Sequence, residues 1–121
     1  MQNLKLRQED WQNILDHIAS SGDAQRVTIE VMREDFGAQT EVENVAFHGL
    51  SYDPRGSTLA IRAGAIEHMI SHPASIEIAH AGGHLICLEV LGTDKSRHLI
   101  TFAPPPPLPQ TLISIAQTPS A

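Results

Sequence analysis

Between Arg7 and Ser21 the apolar residues Trp11, Ile14, Leu15, Ile18 and Ala19 recur at steps of three and four, which places them on one stripe of a helix. A helix of this length is marginal alone in water, whereas burial of its four large side chains contributes roughly 1.5 to 3 kcal/mol each in transfer terms. The helix therefore has to dock on something. Glu9 and Asp10 stand in its first turn, where negative charge suits the helix dipole, and Gly22 stands where a left-handed residue would end it.

The chain beyond the helix has period two rather than 3.6, so the docking partner is a sheet. Val27, Ile29 and Val31 alternate with Thr28, Glu30 and Met32 over Arg26 to Arg33, as in a strand with one wetter face, and Gly37 marks the next turn. Thr40 and Val42 keep one phase and Val45 and Phe47 the other, which predicts a bulge or break near Glu43 and Asn44. Asp53, Pro54 and Gly56 occupy the favoured first, second and fourth positions of a type I turn, between Leu50–Tyr52 and Leu59–Ile61. A short helical turn is expected over 65–70, because Pro73 pushes His72 out of helical geometry.

A three-residue loop at Ala81, Gly82 and Gly83 would then set His80 opposite His84, Ile78 opposite Ile86 and Ile76 opposite Leu88, making one face uniformly apolar. Gly92 to Lys95 reads as a turn, and His98, Ile100 and Phe102 as a closing strand before the prolines at 104–107 rule out further ladder pairing. The expected architecture is α+β: an N-terminal amphipathic helix on a twisted, mostly antiparallel sheet of about six strands, with partial closure into a barrel left open. The domain is expected to span 1–103, with a proline-rich tail at 104–121.

Composition excludes several functions. Fourteen acidic against eight basic residues give a net charge of -6, and no window concentrates Lys or Arg, so a phosphate backbone finds no footprint and nucleic acid is not an expected partner. No segment resembles a membrane span or a signal core, which predicts a cytoplasmic protein with no membrane partner. The lone Cys87 lies in an apolar run and reads as an inert, near-core thiol. No GxSxG elbow, phosphate loop or HExxH motif is present, and no cofactor is expected. Glu41 with Glu43, and Glu34 with Asp35, read as solvated surface.

Seven histidines are the compositional oddity. His80 and His84, as cross-strand neighbours, could share one zinc, with His68 or His72 arriving from the preceding segment; two histidines beside a Gly-Gly loop are also common as exposed hairpin-end residues. The metal candidates are thus His80, His84 and His68. In the tail, Pro106-Pro107-Leu108-Pro109 resembles a polyproline ligand or a plain spacer, and Leu112, Ile113 and Ile115 could add as a strand to an open sheet edge.

The helix with Trp11, the strand Val27–Val31, the following Gly37-Ala38-Gln39, the segment Leu50-Ser51-Tyr52-Asp53 and the pattern His68-x-Ile70-x-x-Pro73 together resemble a bacterial family of small uncharacterised domains, over roughly residues 8 to 102. The resemblance implies a free-standing small bacterial protein of unknown function and assigns no site residues; the proline-rich tail departs from the pattern. Two functional expectations stand side by side: a non-catalytic binding or interaction module, a homodimer that presents a sheet surface or edge, or else a small metal-dependent or acid-base enzyme built on the rim histidines.

Overall fold

A computed structural model of the chain describes residues 1–20 and 25–108. A strand β1 (Gln2–Lys5) precedes a 3-10 turn (Gln8–Asp10) and the helix α1 (Trp11–Ser20). Seven further strands come after it: β2 (Arg26–Arg33), β3 (Gly37–Asp53), β4 (Thr58–Ala63), β5 (Ile66–Ser71), β6 (Pro73–Ala81), β7 (His84–Gly92) and β8 (Arg97–Ala103). They form one antiparallel sheet in the order β1-β6-β7-β8-β2-β3-β4-β5. The expectation of about six strands falls short of these eight. Among the described residues the order is linear, so the sheet is not closed, and β1 and β5 are its edges. The expected cap Gly22 and the tail residues Leu112, Ile113 and Ile115 lie outside the described residues.

Trp11, Ile14, Leu15 and Ile18 are all buried, as their spacing requires, and α1 packs against β3. Trp11 meets Tyr52 of β3 edge-on at 5.3 Å between ring centroids, and Phe47 meets Phe102 of β8 in the same way. Such T-shaped pairs set the positive edge of one ring on the negative face of the other.

The 17-residue β3 does two jobs. Its first half pairs with β2 and its second half with β4. Between the halves Asn44 takes a left-handed φ of 51° and the β2 register slips, which is the break expected from the change of phase at Glu43 and Asn44. Arg26 clamps the bend, its guanidinium donating to the Asn44 carbonyl at 2.6 Å, and Thr28 Oγ1 accepts from the Asn44 N–H at 3.1 Å. Beyond this bend the sheet turns back, so that β5 reaches the apolar face of β8.

Two local expectations are corrected. The segment at 65–70 is not a helical turn: Ala63 pairs with Ile66 across a two-residue turn, and Gly64 supplies the φ of +57° that the first central position of a II′ hairpin needs. The β6–β7 register is also different. Ala81 faces His84 and His80 faces Leu85, around Gly82 and Gly83 at φ +55° and +79°. Two adjacent glycines with positive φ make a type I′ turn, tighter than the three-residue loop. A register shift between Ala79 and His80 then brings Ile78 opposite Leu88 and Ile76 opposite Val90. The uniformly apolar face is recovered, by a bulge rather than by loop length.

Past Ala103 the chain continues to pack. Leu85 N–H donates to the Pro106 carbonyl at 2.8 Å, Leu108 N–H donates to the Gly83 carbonyl at 2.7 Å, and the Leu108 side chain is buried in the core.

Candidate functional site

The histidines chosen from spacing do not come together as a set. His84 is exposed at the β6–β7 turn, where its ring faces the Gly82 carbonyl at 3.2 Å. His80 is buried on the opposite side of the hairpin, and neither of its ring nitrogens has a hydrogen-bond partner among the described residues. His72 is exposed at the corner between β5 and β6. Among the described residues there is no group of three His, Cys, Asp or Glu side chains placed to hold a metal.

His68 instead finds a partner that its spacing did not suggest. On β5 it alternates with Ile70 toward the core, and on β8 His98 alternates in the same way with Ile100 and Phe102. The bend in β3 brings the two rings to 5.0 Å between centroids, with His68 Nε2 2.8 Å from His98 Nδ1. His98 Nε2 is 2.9 Å from Ser96 Oγ, and Ser96 Oγ donates to Asp94 Oδ1.

These contacts fix the direction of each hydrogen bond along the four side chains. The Asp94 carboxylate can only accept, so the Ser96 hydroxyl gives it its proton. Ser96 Oγ then accepts from His98 Nε2–H, which leaves His98 Nδ1 with a lone pair and makes His68 Nε2–H the donor to it. The sequence of donors is His68, His98, Ser96, Asp94, and His68 Nδ1 carries the free lone pair. The hydrogen bonds from Ser96 hold the Asp94 carboxyl below its ordinary range. Burial pushes both imidazoles down, and burial together with the neighbouring His68 holds His98 at about 4. Both rings are therefore neutral at pH 7, and for His98, whose Nδ1 has to accept, the hydrogen-bond pattern requires it.

A second polar feature lies on the outer face of the sheet, where Lys5, Glu77, Glu89 and Arg97 line a cleft of about 430 Å³ together with Asn3 and Ser75. Glu77 and Glu89 face each other across β6 and β7, a repulsive arrangement that the 3.0 Å ion pair from Arg97 to Glu89 relieves. The cleft is charge-balanced. Cys87 lies nearby, half-buried, and burial pushes its thiol up, so it is a poor nucleophile at neutral pH. Glu34, Asp35, Glu41 and Glu43 are exposed, as expected for surface carboxylates.

The third feature is the sheet edge. Strand β1 ends the sheet with four mostly polar residues, Gln2 to Lys5, and both shortness and Lys discourage pairing. Strand β5 ends it with six residues and a single charge, Glu67, and it exposes Ile66 and Met69, the latter at 52%. The sequence signal for this edge is the alternation Ile66, His68, Ile70, which a period-two reading catches and a helical reading misses.

The family of unknown function DUF5335 matches this chain over residues 2–111. An uncharacterized protein of Aquifex aeolicus (strain VF5) is 31% identical over 103 residues, covering 84% of this chain and 93% of that protein. No solved structure matches the chain. No helix among the described residues is long and apolar enough to cross a membrane. The match along nearly the whole described fold, together with the bacterial relative, gives the conclusion that this chain belongs to the DUF5335 family of unknown function.

Proposed function

We propose that the domain is a non-catalytic interaction module that forms a homodimer by adding β5 of one copy to β5 of another. The observation behind this reading is the unguarded edge: β5 is the last strand of the sheet among the described residues, and it exposes Ile66 and Met69 beside one charged side chain. An exposed edge strand offers unpaired N–H and C=O groups, and natural sheets normally blunt such an edge with Lys, Pro or a bulge. Strand β5 has none of these.

An antiparallel pairing of two β5 strands centred on Met69 sets Met69 against its own symmetry mate and Glu67 against Ser71 of the other copy. No like charges meet, and the contact is isologous, as a two-fold dimer requires. The side chains at Glu67, Met69 and Ser71 lie on the face away from His68, so dimerisation leaves the histidine pair in place.

Cross-linking tests the register. Met69→Cys would place two thiols on the two-fold axis, within disulfide reach. Mild oxidation is expected to give a covalent dimer with Met69→Cys and none with Glu67→Cys or with the wild-type chain, whose half-buried Cys87 serves as the control. Failure of Met69→Cys to cross-link, or equal cross-linking of both variants, contradicts the proposal.

A further inference from the structure

We propose that the His68–His98 hydrogen bond is a proton-operated latch that holds β5 against β8 at neutral pH and releases it when both rings become protonated. Strand β5 has one ladder, to β4; Ile70 anchors it in the shared core, and the two imidazoles join it by a hydrogen bond to β8. That link depends on one nitrogen donating and the other accepting.

A first proton, taken up at the lone pair of His68 Nδ1, leaves the Nε2–H donor in place. A second has to enter at His98 Nδ1, because Nε2 of that ring already carries the proton given to Ser96. There it meets the Nε2–H of His68, donor against donor, and the bond is lost. The two positive rings also repel each other in a half-buried site. Charges on the surrounding elements work in both directions. Glu41 on β3 and Asp94 ahead of β8 favour protonation, and Arg33 at the end of β2 opposes it. Burial of both rings is the largest influence on each and keeps them neutral until the solution is well below neutrality. Release consumes two protons, so it is steeper in pH than the titration of one histidine.

Amide hydrogen exchange of the wild-type protein and of His68→Gln, corrected for intrinsic rates, tests the latch together with nitrogen-resolved spectra of the histidine rings. His68 is only partly buried, so His68→Gln is compatible with folding, and the ring spectra need no variant. Between about pH 7 and about pH 4, protection of the β5 amides bonded to β4 is expected to fall by about tenfold or more while β6 and β7 stay protected. The wild-type rings are expected to show neutral tautomers with protons at His68 Nε2 and His98 Nε2 at pH 7, and the acid response of β5 is expected to be absent in His68→Gln. Unchanged β5 protection across this range, a response retained in His68→Gln, or two rings that titrate independently like free histidine would overturn the latch. The readout is local to one chain, so it stands or falls separately from dimerisation.

Discussion

His68 and His98 sit on strands that the sheet order separates by β2, β3 and β4, yet their ring nitrogens are 2.8 Å apart. That contact exists because the long β3 bends at Asn44 and carries β4 and β5 back toward β8. It ties a neutral, directional hydrogen bond to the position of the sheet's most apolar edge.

Global stability should depend on these two rings. Their folded pKa values lie below the ordinary histidine value of 6.5, so above 6.5 both states are neutral and stability is flat. As pH falls from 6.5 toward about 4, the unfolded chain takes up protons that the folded chain refuses, and stability declines. Urea denaturation across this window is expected to show a falling midpoint, and a His68→Gln His98→Gln double variant a flatter dependence. A midpoint in the wild type that rises on acidification would contradict the assignment of neutral rings.

His80 is 5% exposed, and its ring nitrogens make no hydrogen bond among the described residues. A buried polar group without a partner costs about 1 to 3 kcal/mol, and an apolar side chain of similar size avoids that cost. His80→Leu is therefore expected to raise the thermal midpoint by several degrees, roughly 4 to 8 °C per kcal/mol for a domain of this size. A lower midpoint would show that the ring is satisfied in solution.

Gly64 has a φ of +57°, and a Cβ there would approach Val45 to 3.2 Å. Gly64→Ala adds a disfavoured backbone conformation to a tight contact, and a loss of about 1 to 3 kcal/mol is expected in chemical denaturation. Gly37 is the matched control: its φ is +69°, but a Cβ there would meet nothing, so Gly37→Ala should cost less.

Much of this fold can be read from the chain. The stripe Trp11, Ile14, Leu15, Ile18 and the alternation Val27, Ile29, Val31 belong to single elements, where one period decides which face is buried. The break at Asn44 is visible because it changes the phase within one strand. The strand at 66–71 passes for a helical turn because Pro73 marks where such a turn would stop without saying what precedes it, while the hairpin that makes the segment a strand depends on the positive φ of Gly64. The short β1 offers too few residues to show a period.

The site is less legible for a different reason. His68 and His98 are 30 residues apart and meet only after the sheet has folded back. Each nonetheless leaves a mark in the sequence, a lone histidine in phase with the apolar residues of its strand, His68 with Ile70 and His98 with Ile100 and Phe102. Two such residues predict two buried-side imidazoles without saying that they touch. The pairing of His80 with His84 fails at the turn, where the two glycines adopt the tighter I′ form and a bulge restores the apolar register.

Sedimentation equilibrium over a wide concentration range would decide whether β5 is a dimer edge. Pairing through β5 predicts a mass that rises with concentration from the 13.2 kDa of one chain toward twice that value, and a Met69→Lys variant that remains at the lower mass because a lysine guards the edge. A wild-type protein that stays at 13.2 kDa up to about millimolar concentration, or a Met69→Lys variant that associates as the wild type does, would contradict it.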